Sequence, residues 1–87
     1  MQLMAELSLY PLSDAHLEPI DWLLERLNAV EGLDVTTNRM STLVHGDQAL
    51  VLATLDRCLT ELHERFGKVA LVAKFLPGAE RSLNGYR

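Results

Sequence analysis

The first ten residues alternate between apolar and mixed positions, which is typical of a β-strand with one buried face. Pro11 lacks an amide hydrogen, so we expect the strand to end there. One face of the predicted strand carries Leu3, Ala5, Leu7 and Leu9. The other face carries Gln2, Met4, Glu6, Ser8 and Tyr10.

The apolar positions then change to a helical spacing. Ser13 and Asp14 are suited to start a helix, and Pro19 is tolerated in a first turn. Gly32 is expected to end it. Trp22 lies off the stripe and is expected to pack at an oligomer contact or over a loop, with stacking on a ligand ring as the alternative. The predicted stripe contains Leu17, Ile20, Leu23, Leu24, Leu27 and Val30.

Two short alternating segments, 33–38 and 41–45, predict a hairpin of two further strands. Asp47 is a good N-cap for a second helix, and Gly67 is suited to end it. The buried stripe of this helix is predicted to contain Val51, Leu52, Leu55, Cys58, Leu59, Leu62 and Phe66.

Residues 68–76 alternate again and predict a fourth strand, which Pro77 and Gly78 close. The order βαββαβ indicates an α+β, ferredoxin-like sandwich. In this fold two helices cover one face of a four-stranded antiparallel sheet, and the first and third strands are central. We expect a single domain over residues 1–78 and a polar C-terminal tail over 79–87.

The sheet face away from the helices is expected to be partly apolar. A surface of this kind usually meets another protein surface, so we expect a homodimer or homotetramer formed through the open sheet face. This predicted face carries Met4, Glu6, Ser8, Tyr10, Val72, Lys74 and Leu76.

Composition narrows the class of protein. The chain has 87 residues, a formal net charge of −4 and one cysteine. The acidic balance argues against nucleic acid as a partner. No apolar run reaches the about 18–20 residues of a membrane helix, so no membrane span is expected. A single cysteine and the lack of a visible leader sequence indicate a reducing, cytoplasmic location.

No catalytic machinery is evident, because a nucleophile elbow, a Ser-His-Asp order and a glycine-rich phosphate loop are all missing from the sequence. His16, His45 and His63 do not have the close spacing of a metal site. Cys58 falls on the buried stripe and is predicted to be inert. We therefore expect no enzyme activity, no metal and no cofactor.

Hydroxyl and amide groups are concentrated around the predicted hairpin turn, at Asn38, Ser41 and Thr42. Such residues commonly cap turns. They also suit a polar small molecule, because an amide offers both a donor and an acceptor to an aminopyrimidine edge. The pattern alone leaves both interpretations open.

Two residues on the first strand are further candidates. Glu6 and Lys74 are expected to form a cross-strand ion pair on the open face. The alternative is that Glu6 faces a subunit interface or accepts a hydrogen bond from a ligand amine. Tyr10, at the end of the strand, is placed to stack on a ligand ring.

Four segments, taken together and in this order, resemble the YkoF-like family of thiamine- and hydroxymethylpyrimidine-binding proteins, which is related to a further family of thiamine-binding proteins. The segments are Ala5-Glu6-Leu7-Ser8-Leu9-Tyr10-Pro11-Leu12, Leu17-Glu18-Pro19-Ile20, Thr37-Asn38-Arg39-Met40-Ser41-Thr42 and Val72-Ala73-Lys74-Phe75-Leu76-Pro77-Gly78.

The resemblance implies a ferredoxin-like fold, binding of thiamine or its hydroxymethylpyrimidine moiety without chemistry, and a role in thiamine uptake or salvage. Members of the family carry two such domains in tandem, and this chain has one, which implies self-association. The ligand-binding residues that the resemblance implies are Glu6, Ser8, Tyr10, Asn38, Met40, Ser41 and Thr42.

Two other functions remain open at this level. The chain can be an oligomeric interaction module whose open sheet face serves assembly. It can also be an ACT-like sensor of a different small molecule, such as an amino acid. Binding measurements with thiamine, hydroxymethylpyrimidine and amino acids distinguish the three functions.

Overall fold

Four antiparallel strands form one sheet in the spatial order β2-β3-β1-β4 in this computed structural model, which describes residues 1–12 and 17–79. The fold is the predicted ferredoxin-like α+β sandwich, with β1 and β3 in the centre of the sheet. The elements are β1 (Gln2–Pro11), α1 (Glu18–Asn28), β2 (Asp34–Thr37), β3 (Thr42–Asp47), α2 (Gln48–Phe66) and β4 (Val69–Pro77).

The alternation of β1 sets the two faces of the sheet. Leu3, Ala5 and Leu7 are buried in the core beneath the helices, and Leu9 packs against its edge. Their register partners on β3 include Val44, which is fully buried. Because side chains alternate along a strand, Glu6, Ser8 and Tyr10 lie on the opposite, open face. The predicted assignment of β1 side chains to the two faces is confirmed.

Helix α1 is shorter than predicted at its C-terminal end. It ends at Asn28, whose side-chain amide donates to the Leu24 carbonyl at 2.8 Å. Gly32 lies beyond, in a turn with φ +92°. The prediction that Val30 belongs to the helix is therefore wrong. Leu17, also predicted on the stripe, is exposed at the N-cap position. The predicted start residues Ser13 and Asp14 lie outside the described residues.

Helix α2 has the predicted ends. The Asp47 carboxylate accepts from the Ala49 amide at 3.2 Å, and Gly67 follows the last turn with φ +78°. Its buried face differs from the prediction, because Leu52 and Leu59 are exposed. A helix on a sheet buries one narrow stripe, and these two leucines lie one position off it. The buried residues are Val51, Thr54, Leu55, Cys58 and Leu62.

Trp22 packs within the subunit instead of standing off the helix. Its ring contacts Phe66 edge-on with the centroids 6.3 Å apart, and it is partly buried against the core. The guanidinium carbons of Arg26 and Arg65 lie 5.0 and 5.5 Å from its centroid. The indole joins α1 to the end of α2, a contact that helical spacing within α1 alone does not reveal.

One end of the open face is covered by the chain itself. Met4 and His45 are neighbours across β1 and β3, and both are buried. The Ala79 carbonyl lies 2.9 Å from Nε2 of His45, and the Gly78 amide donates to the Gln2 carbonyl at 2.7 Å. The predicted tail therefore begins with a buried residue, Ala79, and its remainder lies outside the described residues. No helix within 1–12 and 17–79 is long and apolar enough to cross a membrane.

Candidate ligand-binding site

A cavity of about 230 Å³ lies between the end of β1, helix α1 and the β2–β3 hairpin. We call it the hairpin cavity. Its wall combines an apolar part with hydroxyl and amide groups, the combination that small-molecule sites use for burial and orientation. Its apolar lining residues are Leu7, Leu9, Ile20, Leu23 and Leu24. The others are Ser8, Tyr10, Thr37, Asn38, Arg39, Met40, Ser41 and Thr42.

Two threonines, the exposed Thr37 and the buried Thr42, contribute hydroxyl groups to the cavity wall. Thr37 and Thr42 are register partners on β2 and β3, and Thr42 also pairs with Leu7 of β1, so both lie on the helix-covered face. Thr42 is only 8% exposed. Within residues 1–12 and 17–79 neither hydroxyl makes a hydrogen bond. Both hydroxyls therefore keep their donor and acceptor capacity for a bound molecule.

Asn38 caps the hairpin turn with its side-chain oxygen. Oδ1 accepts from the Met40 amide at 2.7 Å and from the Ser41 amide at 2.8 Å, and the Asn38 amide donates to the Ser41 carbonyl at 3.0 Å. These bonds are those of an Asx turn. The oxygen of Asn38 thus serves the turn, and its Nδ2 group is the part that can donate to a ligand.

Ser41 contacts the opposite face of the sheet. Its hydroxyl donates to Oε2 of Glu6 at 3.1 Å, while Oε1 of Glu6 lies 3.7 Å from Nζ of Lys74. The cross-strand ion pair predicted between Glu6 and Lys74 is present, and the two residues are register partners. Glu6 does not line the hairpin cavity.

The seven predicted site residues thus occupy two faces. Asn38, Met40, Ser41 and Thr42 surround the cavity, with Met40 at the hairpin tip 85% exposed. Ser8 and Tyr10 line the cavity at the end of β1, although strand alternation puts their side chains on the open face. Glu6 lies fully on the open face.

Sequence reasoning missed two polar residues of the cavity, Thr37 and Arg39. Thr37 had a usable signal, because the residue that pairs with Thr42 in a short hairpin lies on the same face. The leucines of the wall and Ile20 appeared in the sequence only as core positions. Their role as cavity wall depends on the distance between α1 and the hairpin, which periodicity does not encode.

A second, smaller cavity of about 130 Å³ lies between the two helices and is lined in part by Thr54, Cys58 and Arg26. Burial raises the pKa of the Cys58 thiol, an effect that the nearby Arg26 reduces. A buried thiol of raised pKa is a poor nucleophile. The prediction that Cys58 is part of the core is confirmed, since it is 1% exposed.

Comparisons with known proteins show the fold. No protein-family model matches the chain, and no curated protein matches its sequence at a significant level. Among solved structures, a protein of Streptococcus pneumoniae aligns with a TM-score of 0.83 at 19% identity, covering 97% of this chain and 94% of that one.

Two further solved structures are similar to this one. A protein of Thermotoga maritima with a provisional role in thiamine biosynthesis or salvage aligns with a TM-score of 0.78 at 13% identity, over 100% of this chain and 90% of its own. A domain of unknown function from Bacillus cereus aligns with a TM-score of 0.76 at 16% identity, covering 97% of this chain and 85% of that one. At identities this low the structural alignments show only a shared fold, and a function has to be argued from the site.

Proposed function

We propose that this protein binds the hydroxymethylpyrimidine ring, free or as part of thiamine, in the hairpin cavity and releases it without chemical change. The observation that carries the proposal is the pairing, in one cavity, of an apolar wall with two threonine hydroxyls that have no partner among the described residues. An aminopyrimidine has the matching chemistry, since it combines apolar ring faces with a polar edge.

The edge of the ring can be matched group by group. The Nδ2 group of Asn38 donates to a ring nitrogen, and the ring's amino group donates to the Thr37 or Thr42 hydroxyl. The faces of the ring pack against Leu7 and Leu23. This arrangement uses the donor of Asn38 that the turn leaves available and requires no carboxylate inside the cavity.

The size of the cavity favours a single ring. Sites for drug-sized ligands measure about 300–1,000 Å³, so a cavity of about 230 Å³ is smaller than such sites. The pyrimidine ring fits inside such a volume, and the second ring of thiamine extends towards the hairpin tip and solvent. The structural neighbour from Thermotoga maritima, with its provisional role in thiamine biosynthesis or salvage, supports the same ligand class.

The proposed role is that of a carrier or buffer in thiamine uptake or salvage. Binding without chemistry requires only a site that is complementary to the ligand's ground state, whereas catalysis requires groups that interact more strongly with the transition state. The hydroxyl and amide groups of the cavity provide ground-state complementarity.

Isothermal titration calorimetry with hydroxymethylpyrimidine, thiamine and a panel of amino acids tests the proposal. We expect saturable binding of the first two and none of the amino acids. Binding of an amino acid alone favours an ACT-like sensor. The absence of heat and of a thermal shift with every ligand contradicts the proposed function.

Thr42→Val provides the decisive variant, because it removes one hydroxyl while keeping the branched shape. We expect it to weaken hydroxymethylpyrimidine binding by about threefold to tenfold, which corresponds to one hydrogen bond of about 0.5–1.5 kcal/mol. Thr54→Val is the matched control, since Thr54 has the same 8% exposure but lies between the helices. Equal losses in both variants contradict the assigned site.

A second candidate function, an oligomeric interaction module, is favoured by a different observation. Val72 and Leu76 are exposed on the open face of the edge strand β4, where they pair with Ser8 and Met4 of β1. We propose a homodimer or homotetramer through this face, which is compatible with ligand binding on the other. Sedimentation equilibrium over a range of protein concentrations tests it, and a monomer throughout contradicts it.

A further inference from the structure

Arg39 is the one charged residue among the described residues that line the hairpin cavity. It lies at the tip of the β2–β3 hairpin, between the turn-capping Asn38 and the exposed Met40. No aspartate or glutamate within residues 1–12 and 17–79 lines the cavity. The lining described by the structure therefore has a positive formal charge, although the whole chain carries −4.

Two other side-chain cations among the described residues have acidic partners. Arg26 pairs with Glu61 at 3.0 Å, and Lys74 lies 3.7 Å from Glu6. Arg39 makes neither a hydrogen bond nor an ion pair with any residue in 1–12 or 17–79. An arginine side chain carries a positive charge and five N–H donors. Its guanidinium is thus available to a bound molecule.

We infer that Arg39 makes the hairpin cavity selective for a ring that carries an anionic substituent, such as a phosphate ester. This inference rests on the proposed function, because it assumes that the ring lies in the cavity. A guanidinium presents parallel N–H donors that match the oxygens of phosphate or carboxylate. A substituent that extends from the ring towards the hairpin tip reaches this group.

The same charge disfavours cationic ligands. The Arg39 guanidinium repels a positive ring at the mouth of the cavity, and no carboxylate among the described lining residues offsets the repulsion. Glu18 and Asp21, in the first turn of α1, are the acidic residues of the helix that borders the cavity at this end, and both are exposed and outside the lining. Water screens exposed charges of this kind strongly.

Calorimetric titrations of the wild-type protein with hydroxymethylpyrimidine, its phosphate monoester and thiamine test this selectivity at low and at high salt. At low salt we expect the monoester to bind about tenfold more tightly than the neutral alcohol, because its phosphate adds one exposed charge-assisted contact with Arg39. Thiamine should bind more weakly than the alcohol. The preference for the monoester should shrink at high salt, because salt screens a partly exposed pair.

The variant Arg39→Gln should lose the preference for the monoester while binding the neutral alcohol as the wild type does. The unchanged affinity for the alcohol also shows that the hairpin is folded. Arg57→Gln is the matched control, because it makes the same change of charge on the exposed surface of α2 and should keep the full preference. Arg39→Lys should keep part of it, since charge remains without the paired donors.

Several results overturn the inference while leaving the proposed function intact. One is equal binding of the alcohol and its monoester by the wild type, and another is a preference that persists in Arg39→Gln. Inorganic phosphate that binds as tightly as the monoester overturns the requirement for a ring. If none of the ring ligands binds to the wild type, the proposed function fails and this inference fails with it.

Discussion

Ser41 and Thr42 are neighbours in the chain, but they belong to different faces of the sheet and to different chemistry. The Ser41 hydroxyl donates to Glu6 on the open face, in a group of exposed charges that includes Lys74. Thr42 is buried on the helix-covered face, where its hydroxyl lines the hairpin cavity. A strand sends successive side chains to opposite faces, so two neighbouring polar residues that line the same cavity still have different contacts.

The two faces of the sheet also differ in which parts of the chain cover them. The helix-covered face is closed by α1 and α2 and has a continuous apolar core. Within residues 1–12 and 17–79, the open face is buried near Met4, where Ala79 lies against His45, and it is exposed at Val72. Ligand binding is proposed for the closed face, and self-association for the open one. Each assignment predicts a different response to the same kind of substitution.

The largest difference is expected between Leu7→Ala and Leu76→Ala. Leu7 is 2% exposed in the core and also forms part of the cavity wall, so its truncation should lower the free energy of unfolding by about 2–5 kcal/mol. Leu76 is 41% exposed on the open face, and its truncation should cost about 1 kcal/mol or less. Urea unfolding of both variants measures the difference.

A cost for Leu76→Ala as large as that for Leu7→Ala contradicts this comparison for the isolated subunit. If that cost also grows with protein concentration, a second copy of the chain buries the open face, since association stabilises only the folded state. The same substitution at the two sites thus separates a face that is closed within the subunit from a face that is closed by assembly.

Much of the fold could be predicted from local rules. The period of two in β1 assigned its residues to the correct faces, and the N-cap at Asp47 and the glycine at Gly67 gave the ends of α2. Tertiary packing decided the rest. Thr54 is buried and Leu52 is exposed because the position of α2 on the sheet, not hydrophobicity alone, selects the buried stripe. Trp22 packs on Phe66, more than forty positions along the chain.

The candidate site was predictable in part. Asn38, Ser41 and Thr42, which form a polar cluster in the sequence, all line the hairpin cavity, and residues of connecting segments commonly carry binding functions. The division of these residues between two faces followed from strand alternation once the register of Thr42 with Leu7 was known. Arg39 has no acidic partner among residues 1–12 and 17–79, which could not be predicted, since it depends on which carboxylates lie nearby in space.

A smaller difference is expected between Ser41→Ala and Thr42→Val in ligand binding. Thr42→Val should weaken hydroxymethylpyrimidine binding as described above, whereas Ser41→Ala should change the dissociation constant by no more than about twofold, because its hydroxyl already donates to Glu6. Calorimetry on both variants measures the ratio. A larger loss for Ser41→Ala than for Thr42→Val means that the ligand recruits the Ser41 hydroxyl, and the two faces are then coupled through this residue.

The smallest effect is expected for the ion pair of the open face. Glu6 and Lys74 have side chains that are 42% and 79% exposed, and their closest charged atoms are 3.7 Å apart. A double-mutant cycle with Glu6→Gln and Lys74→Met should therefore give a coupling free energy of about 0.2–1 kcal/mol, falling as salt is added. Urea unfolding of the four proteins at two salt concentrations provides the cycle. A coupling well above this range that resists salt means that water is excluded from the pair and that another surface covers this part of the face. The coupling between Glu6 and Lys74, although the weakest of these effects, therefore reports directly on whether the open face is exposed to solvent.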